Sequence, residues 1–141
     1  MHRIVLSISI CLLMMNGYAQ HGVKFMEGNF QEALEIAKQQ NKMLFVDVYT
    51  SWCGPCRWMS EEVLQTPEAA KYFDKYFVCF KIDAEKGDGM AFAEEYGVRA
   101  YPTFLMILPD GTFSYHYKNF GSYFSIFAMY KKIPLTKVPS N

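Results

Sequence analysis

The chain has 141 residues, of which 51% are hydrophobic, 17% aromatic and 20% charged, with 14 basic and 14 acidic side chains. This predicts one compact domain that buries roughly two-thirds of its unfolded surface, and excludes a disordered chain, a collagen-like repeat and a multi-domain enzyme. A formal net charge of zero lacks the basic excess of a nucleic-acid binder, and four cysteines are too few for a disulfide scaffold.

Met1-His2-Arg3 is a short basic start. Residues 4–15 are an apolar run broken only by Ser7 and Ser9, and Asn16-Gly17-Tyr18-Ala19 ends in small residues. This three-part order predicts a secretory signal peptide over residues 1–19, cleaved after Ala19. The run falls short of the about 20 apolar residues that span a bilayer. An uncleaved anchor and a chance apolar start are the alternatives. Cleavage discards Arg3 and Cys11 and leaves a domain over residues 20–141 that keeps Cys53, Cys56 and Cys79.

Residues 23–26 read as a short edge strand. Asn29 with Glu32 three residues on forms a capping-box pattern, and Phe30, Ala33, Leu34 and Ala37 recur at helical spacing, so residues 30–40 are predicted to be an amphipathic helix. Asn41-Lys42 ends it. Residues 43–49 are a nearly continuous apolar run, read as a strand buried on both faces, with Asp47 as the exception. Cys53-Gly54-Pro55-Cys56 opens a helix to about residue 64. Thr66-Pro67 caps a second helix to about residue 73. A strand over 78–83, a helical segment over 90–96 closed by Gly97, and a hairpin of strands 103–108 and 112–117 around Pro109-Asp110-Gly111 follow. A last helix is expected over 122–132. Strands alternating with helices predict a central sheet covered on both faces, to which the hairpin adds antiparallel strands.

Two cysteines three residues apart at a helix start lie one turn apart on one face, within reach of a disulfide. The helix N-terminus presents unpaired N–H groups and the positive end of the dipole, and both favour a thiolate, the species that attacks disulfides. Pro55 fits the first turn, where a missing N–H costs nothing. A redox pair, a structural disulfide and half of a zinc site all fit this spacing. Zinc needs four ligands, and no second such pair stands in the sequence, where His21 and His116 are isolated.

Trp52-Cys53-Gly54-Pro55-Cys56 after an apolar strand resembles the active site of the thioredoxin family. Asp47, six residues before Cys53, stands where the family has a buried acid. Residues 96–103, Tyr-Gly-Val-Arg-Ala-Tyr-Pro-Thr, resemble its cis-proline segment, and Gly121 matches the glycine before its last helix. The segment 44–57 is also similar to extracytoplasmic thiol:disulfide interchange proteins. The resemblance implies a thioredoxin-like three-layer α/β/α sandwich with a mixed central sheet.

It also implies a thiol–disulfide oxidoreductase, with Cys53 as exposed nucleophile, Cys56 as shielded resolving thiol and Asp47 as proton relay to Cys56. Pro102 in cis would hold its loop against the cysteines, Tyr101 would offer main chain to an extended substrate, and Trp52 would supply a flat apolar wall. The family often sets a lysine opposite the acid. Cys79 stands at the matching position here, and Lys81, two residues on, faces the same way. Cys79 reads as a buried small hydrophobe, Trp58 and Met59 as helix packing, Arg57 as a charge beside the thiolate or a solvated helix face, and His116 as exposed and idle.

Gly54-Pro55 resembles reducing members. The expected activity is therefore reduction of disulfides in exported proteins, periplasmic or secreted, by a monomer recharged from a membrane electron donor. No nucleic acid, cofactor or metal is expected. The alternative is a non-catalytic binding module or holdase for unfolded chains. Residues 111–141 lack acidic side chains and carry Lys118, Lys131, Lys132 and Lys137, and residues 122–130 are uncharged and aromatic, which departs from the family's amphipathic last helix.

Overall fold

A computed structural model describes residues 22–117. The expected signal peptide, Gly121 and the helix expected over 122–132 lie outside the described residues.

The elements run β1 (Phe25–Met26), α1 (Phe30–Gln39), β2 (Met43–Tyr49), α2 (Gly54–Trp58), a π-helical turn (Met59–Val63), α3 (Pro67–Tyr76), β3 (Phe77–Asp83), α4 (Gly89–Glu95), β4 (Thr103–Ile107) and β5 (Phe113–Tyr117). Helix α1 begins where the capping box predicts. The Asn29 side chain accepts from the Glu32 N–H at 3.0 Å, and the Glu32 carboxylate accepts from the Asn29 N–H at 3.2 Å. Asn41 ends the helix region in the left-handed conformation, at φ 50°. The Thr66 hydroxyl caps α3 by accepting from Ala69 N–H at 3.3 Å. Helix α3 runs to Tyr76, about one turn further than its sequence pattern suggests, and Tyr72 and Tyr76 pack on it as an i,i+4 ring pair at 4.9 Å.

The five strands form one mixed sheet in the order β1-β3-β2-β4-β5. β1 and β2 flank β3 in parallel, while β4 runs antiparallel to β2 and β5 antiparallel to β4. Strand alternation sorts the core into two layers. Met43, Phe45, Phe77, Cys79, Phe104 and Met106 face Met59, Val63, Leu64 and Phe73, below α2, the π turn and α3. Leu44, Val46, Val48, Val78, Phe80, Leu105 and Ile107 face Ala33, Ala37, Phe92 and Ala93 of α1 and α4 on the opposite side. The result is the expected three-layer α/β/α sandwich. By this alternation Asp47 belongs to the face that carries the cysteine helix.

The segment after Cys56 departs from the expected uninterrupted α-helix. Leu64 N–H donates to the Met59 carbonyl at 3.0 Å, an i→i−5 bond that opens a π turn. The wider turn lets Met59, Val63 and Leu64 all reach the sheet, and all three are buried.

Candidate active site

Cys53 is the N-cap of α2 and Cys56 lies in its first turn. They are joined as a disulfide with Cα atoms 5.3 Å apart. Pro55 occupies the first turn, and Cys56 N–H points at Cys53 Sγ at 3.1 Å. A backbone donor therefore already faces the sulfur on which negative charge would develop after reduction. Both cysteines are only 5% exposed. The exposure asymmetry expected between Cys53 and Cys56 is absent in the disulfide. What distinguishes them is position, Cys53 at the helix end and Cys56 inside it.

Trp52 precedes the pair and is 68% exposed. Its orientation is fixed from two sides. The indole N–H donates to both oxygens of Glu85, at 3.0 and 2.9 Å, and the ring meets Tyr101 edge-on at 6.0 Å. That contact brings the loop before β4 beside the cysteine helix. The Tyr101–Pro102 peptide is cis, and Pro102 is buried while Tyr101 is half-buried. The Thr103 hydroxyl donates to the Ala100 carbonyl at 2.7 Å and braces the same loop. Nothing in the local sequence marks Glu85 as part of the site. It lies two residues past β3, and no local pattern ties it to a tryptophan 33 residues earlier.

Asp47 is 2% exposed. Its partner is Lys81, with Nζ 3.3 Å from Oδ2, and the register of β2 and β3 sets Asp47 directly against Lys81 and Phe45 against Cys79. Cys79 is therefore not the residue opposite the acid. The pairing is offset by two positions from the one the family resemblance implies. The Lys81 ammonium also donates to Ser60 Oγ at 2.6 Å and lies 5.0 Å above the Phe25 ring and 5.1 Å above the Tyr49 ring. Burial raises the Asp47 carboxyl above the usual carboxylate range, and Lys81 opposes the shift without cancelling it.

Cys79 is a free, buried cysteine, and burial pushes its thiol well above the ordinary range. This suits packing, not nucleophilic attack. Met59 packs as expected, but Trp58 is 46% exposed, because its position on α2 points away from the sheet that Cys56 and Met59 face. Arg57 is exposed. His116 lies on β5, paired in register with Leu105, and its side chain is outside the described residues. Among the described residues no three His, Cys, Asp or Glu side chains converge as they would around a metal ion.

A mixed sheet between two helical layers, a disulfide at the start of the helix after β2 and a cis-proline before β4 define a thioredoxin-fold protein with a dithiol–disulfide site. The profile of the thioredoxin-like family matches residues 25–109, and the chain belongs to that family. The solution structure of a candidate disulphide-isomerase from Bacteroides thetaiotaomicron is similar, with 40% identity and a TM-score of 0.71 over 79% of this chain and 92% of that one. Among curated relatives, an H-type thioredoxin of Fagopyrum esculentum is 39% identical over 58% of this chain and 65% of its own. Thioredoxin H4 of Arabidopsis thaliana is 36% identical over 52% of this chain and 58% of its own. The chain thus spans less than two-thirds of the length of these curated thioredoxins.

Proposed function

We propose that the protein is a thiol–disulfide oxidoreductase that reduces disulfides of exported proteins, acting in the periplasm or outside the cell after loss of residues 1–19. The observation that carries the activity is the Cys53–Cys56 disulfide at the N-terminus of α2, with a backbone N–H 3.1 Å from Cys53 Sγ. Family membership supports it. The basic, apolar and small-residue order of the first nineteen residues supports export.

In the reduced protein the Cys53 thiolate attacks one sulfur of a substrate disulfide. A mixed disulfide forms and the other substrate sulfur leaves as a thiolate, which takes up a proton. Cys56 loses its proton, in this reading to Asp47, and attacks Cys53 Sγ. The mixed disulfide breaks, the second substrate sulfur leaves, and the Cys53–Cys56 bond closes. Two electrons have passed to the substrate, so a reductant must reopen the pair. In an oxidising compartment that role falls to a membrane electron donor. Trp52 and Tyr101 would form the surface on which an extended substrate segment lies beside the cysteines, with buried Pro102 holding the Tyr101 main chain in place.

The test is insulin reduction with dithiothreitol as donor. Turnover is expected, is lost in Cys53→Ser, and gives way to a trapped mixed disulfide in Cys56→Ser. If neither substitution alters turnover while both variants still bind unfolded clients, the domain is a binding module. A reduction potential measured against a glutathione series decides direction. A strongly negative value supports reduction, and a value near about −120 mV, that of a disulfide-forming oxidase, overturns it.

A further inference from the structure

A buried carboxylate should hold a neighbouring ammonium more closely than a neutral hydroxyl does, because it adds the attraction of a full opposite charge. Here the order is reversed. Lys81 Nζ lies 2.6 Å from Ser60 Oγ and 3.3 Å from Asp47 Oδ2. Asp47 Oδ1 is buried and accepts no hydrogen bond from the described residues. The Phe25 and Tyr49 rings, 5.0 and 5.1 Å from the ammonium, add cation–π attraction that competes with the carboxylate. Ser60 sits in the π turn, four residues after Cys56, on the helix that packs over the Asp47 face of the sheet.

We propose that Ser60 is a positioning residue: its hydroxyl holds the Lys81 ammonium back from Asp47, so that the carboxyl beneath the cysteine helix keeps its affinity for a proton. The oxidoreductase reading gives this its purpose, since a carboxylate fully paired with Lys81 would be a poor acceptor for the Cys56 proton.

Few ionisable groups share this face with Asp47. β3 contributes Lys81, the Cys79 thiol and, at its end, Asp83, which is paired with Lys86; Tyr49 of Asp47's own strand lends a ring to Lys81, and α3 brings Tyr72 and Tyr76 to the same core. β4 sets Phe104 opposite, β1 contributes the Phe25 ring, and the helix above carries the Cys56 disulfide, Met59 and Ser60. Glu61 and Glu62 of the π turn are exposed. Lys81, 27% exposed in its side chain, is thus the one cation against Asp47 among the described residues.

The Asp47 carboxyl carbon can be titrated by NMR in the oxidised protein, which needs no turnover, so the outcome stands apart from whether the chain reduces disulfides. Ser60→Ala is expected to release the ammonium onto Asp47 and lower the midpoint by about half a pH unit or more, a roughly threefold rise in the ionisation constant. Ser60→Thr keeps the hydroxyl and is expected to titrate as the parent does. In a Lys81→Met background, Ser60→Ala is expected to move nothing. A midpoint unmoved by Ser60→Ala, an equal shift in Ser60→Thr, or a shift that persists without the ammonium overturns the proposal. So does a Ser60→Ala chain that fails to fold, since the hydroxyl would then be structural.

Discussion

Asp47 lies on the sheet face of Phe45, Met106 and Phe104, and a single lysine at 3.3 Å is its counter-charge among the described residues. Desolvation of the ionised form outweighs that one attraction, so the folded protein binds the Asp47 proton more tightly than the unfolded chain does. A group shifted upward contributes its stability below the unfolded value and loses it as pH rises through the folded one. Asp47→Asn removes the titration. Relative to the parent, it is expected to gain stability as pH rises from 4 to 8, by about 1.4 kcal/mol for each pH unit by which folding raises the Asp47 carboxyl. Melting temperatures of both chains at pH 4, 6 and 8 check this, and a gain independent of pH would contradict it. The acid was legible in the sequence as one carboxylate inside an apolar strand. Its partner was not. A shift of two residues in strand register keeps every side chain on the same face, so alternation cannot choose between Cys79 and Lys81.

Elements here end where side-chain chemistry ends them, and they pack where a neighbour leaves room. Gly97, at φ 62°, closes the turn after α4 in a conformation that favours glycine. Gly89 opens α4 for a different reason. A Cβ there would lie 1.9 Å from the Asp83 carbonyl oxygen and 2.8 Å from its carbon, so α4 meets the end of β3 backbone to backbone. Gly89→Ala is expected to cost about 1–3 kcal/mol of stability, read as a lowered denaturant midpoint, because neither backbone can yield without moving a strand or a helix. An unchanged midpoint would mean that α4 can slide. The sequence marks Gly87-Asp88-Gly89 as a turn, but the close approach depends on a strand that ends six residues earlier.

Across the whole molecule, Phe45 joins the layers. Its ring stacks on Phe104 of β4 at 5.3 Å, meets Phe73 of α3 edge-on at 4.6 Å, and lies within 6.4 Å of Phe25 and Phe77. It is fully buried at the centre of the sheet's cysteine-helix face. Phe45→Ala is expected to cost roughly 3–5 kcal/mol, a large part of the about 5–15 kcal/mol that holds a domain together. Urea unfolding checks it, and a loss under about 1 kcal/mol would show that this face repacks around the cavity.

Much of this protein follows from local pattern. The capping box at Asn29, the apolar run of β2, the proline-led start of α3 and the Cys-Gly-Pro-Cys helix start are written in consecutive residues, because caps, periodicity and fixed proline φ act within one or two turns of chain. Those features, with the Tyr101-Pro102 segment, were enough to place the fold and the cysteine pair. Long-range packing decided the rest. The register of β3 against β2 chose Lys81 for Asp47, the indole of Trp52 found Glu85 across 33 residues, and the π turn brought Ser60 to the ammonium. Each joins groups on different elements, and their energies depend on burial and distance that no run of neighbouring residues contains.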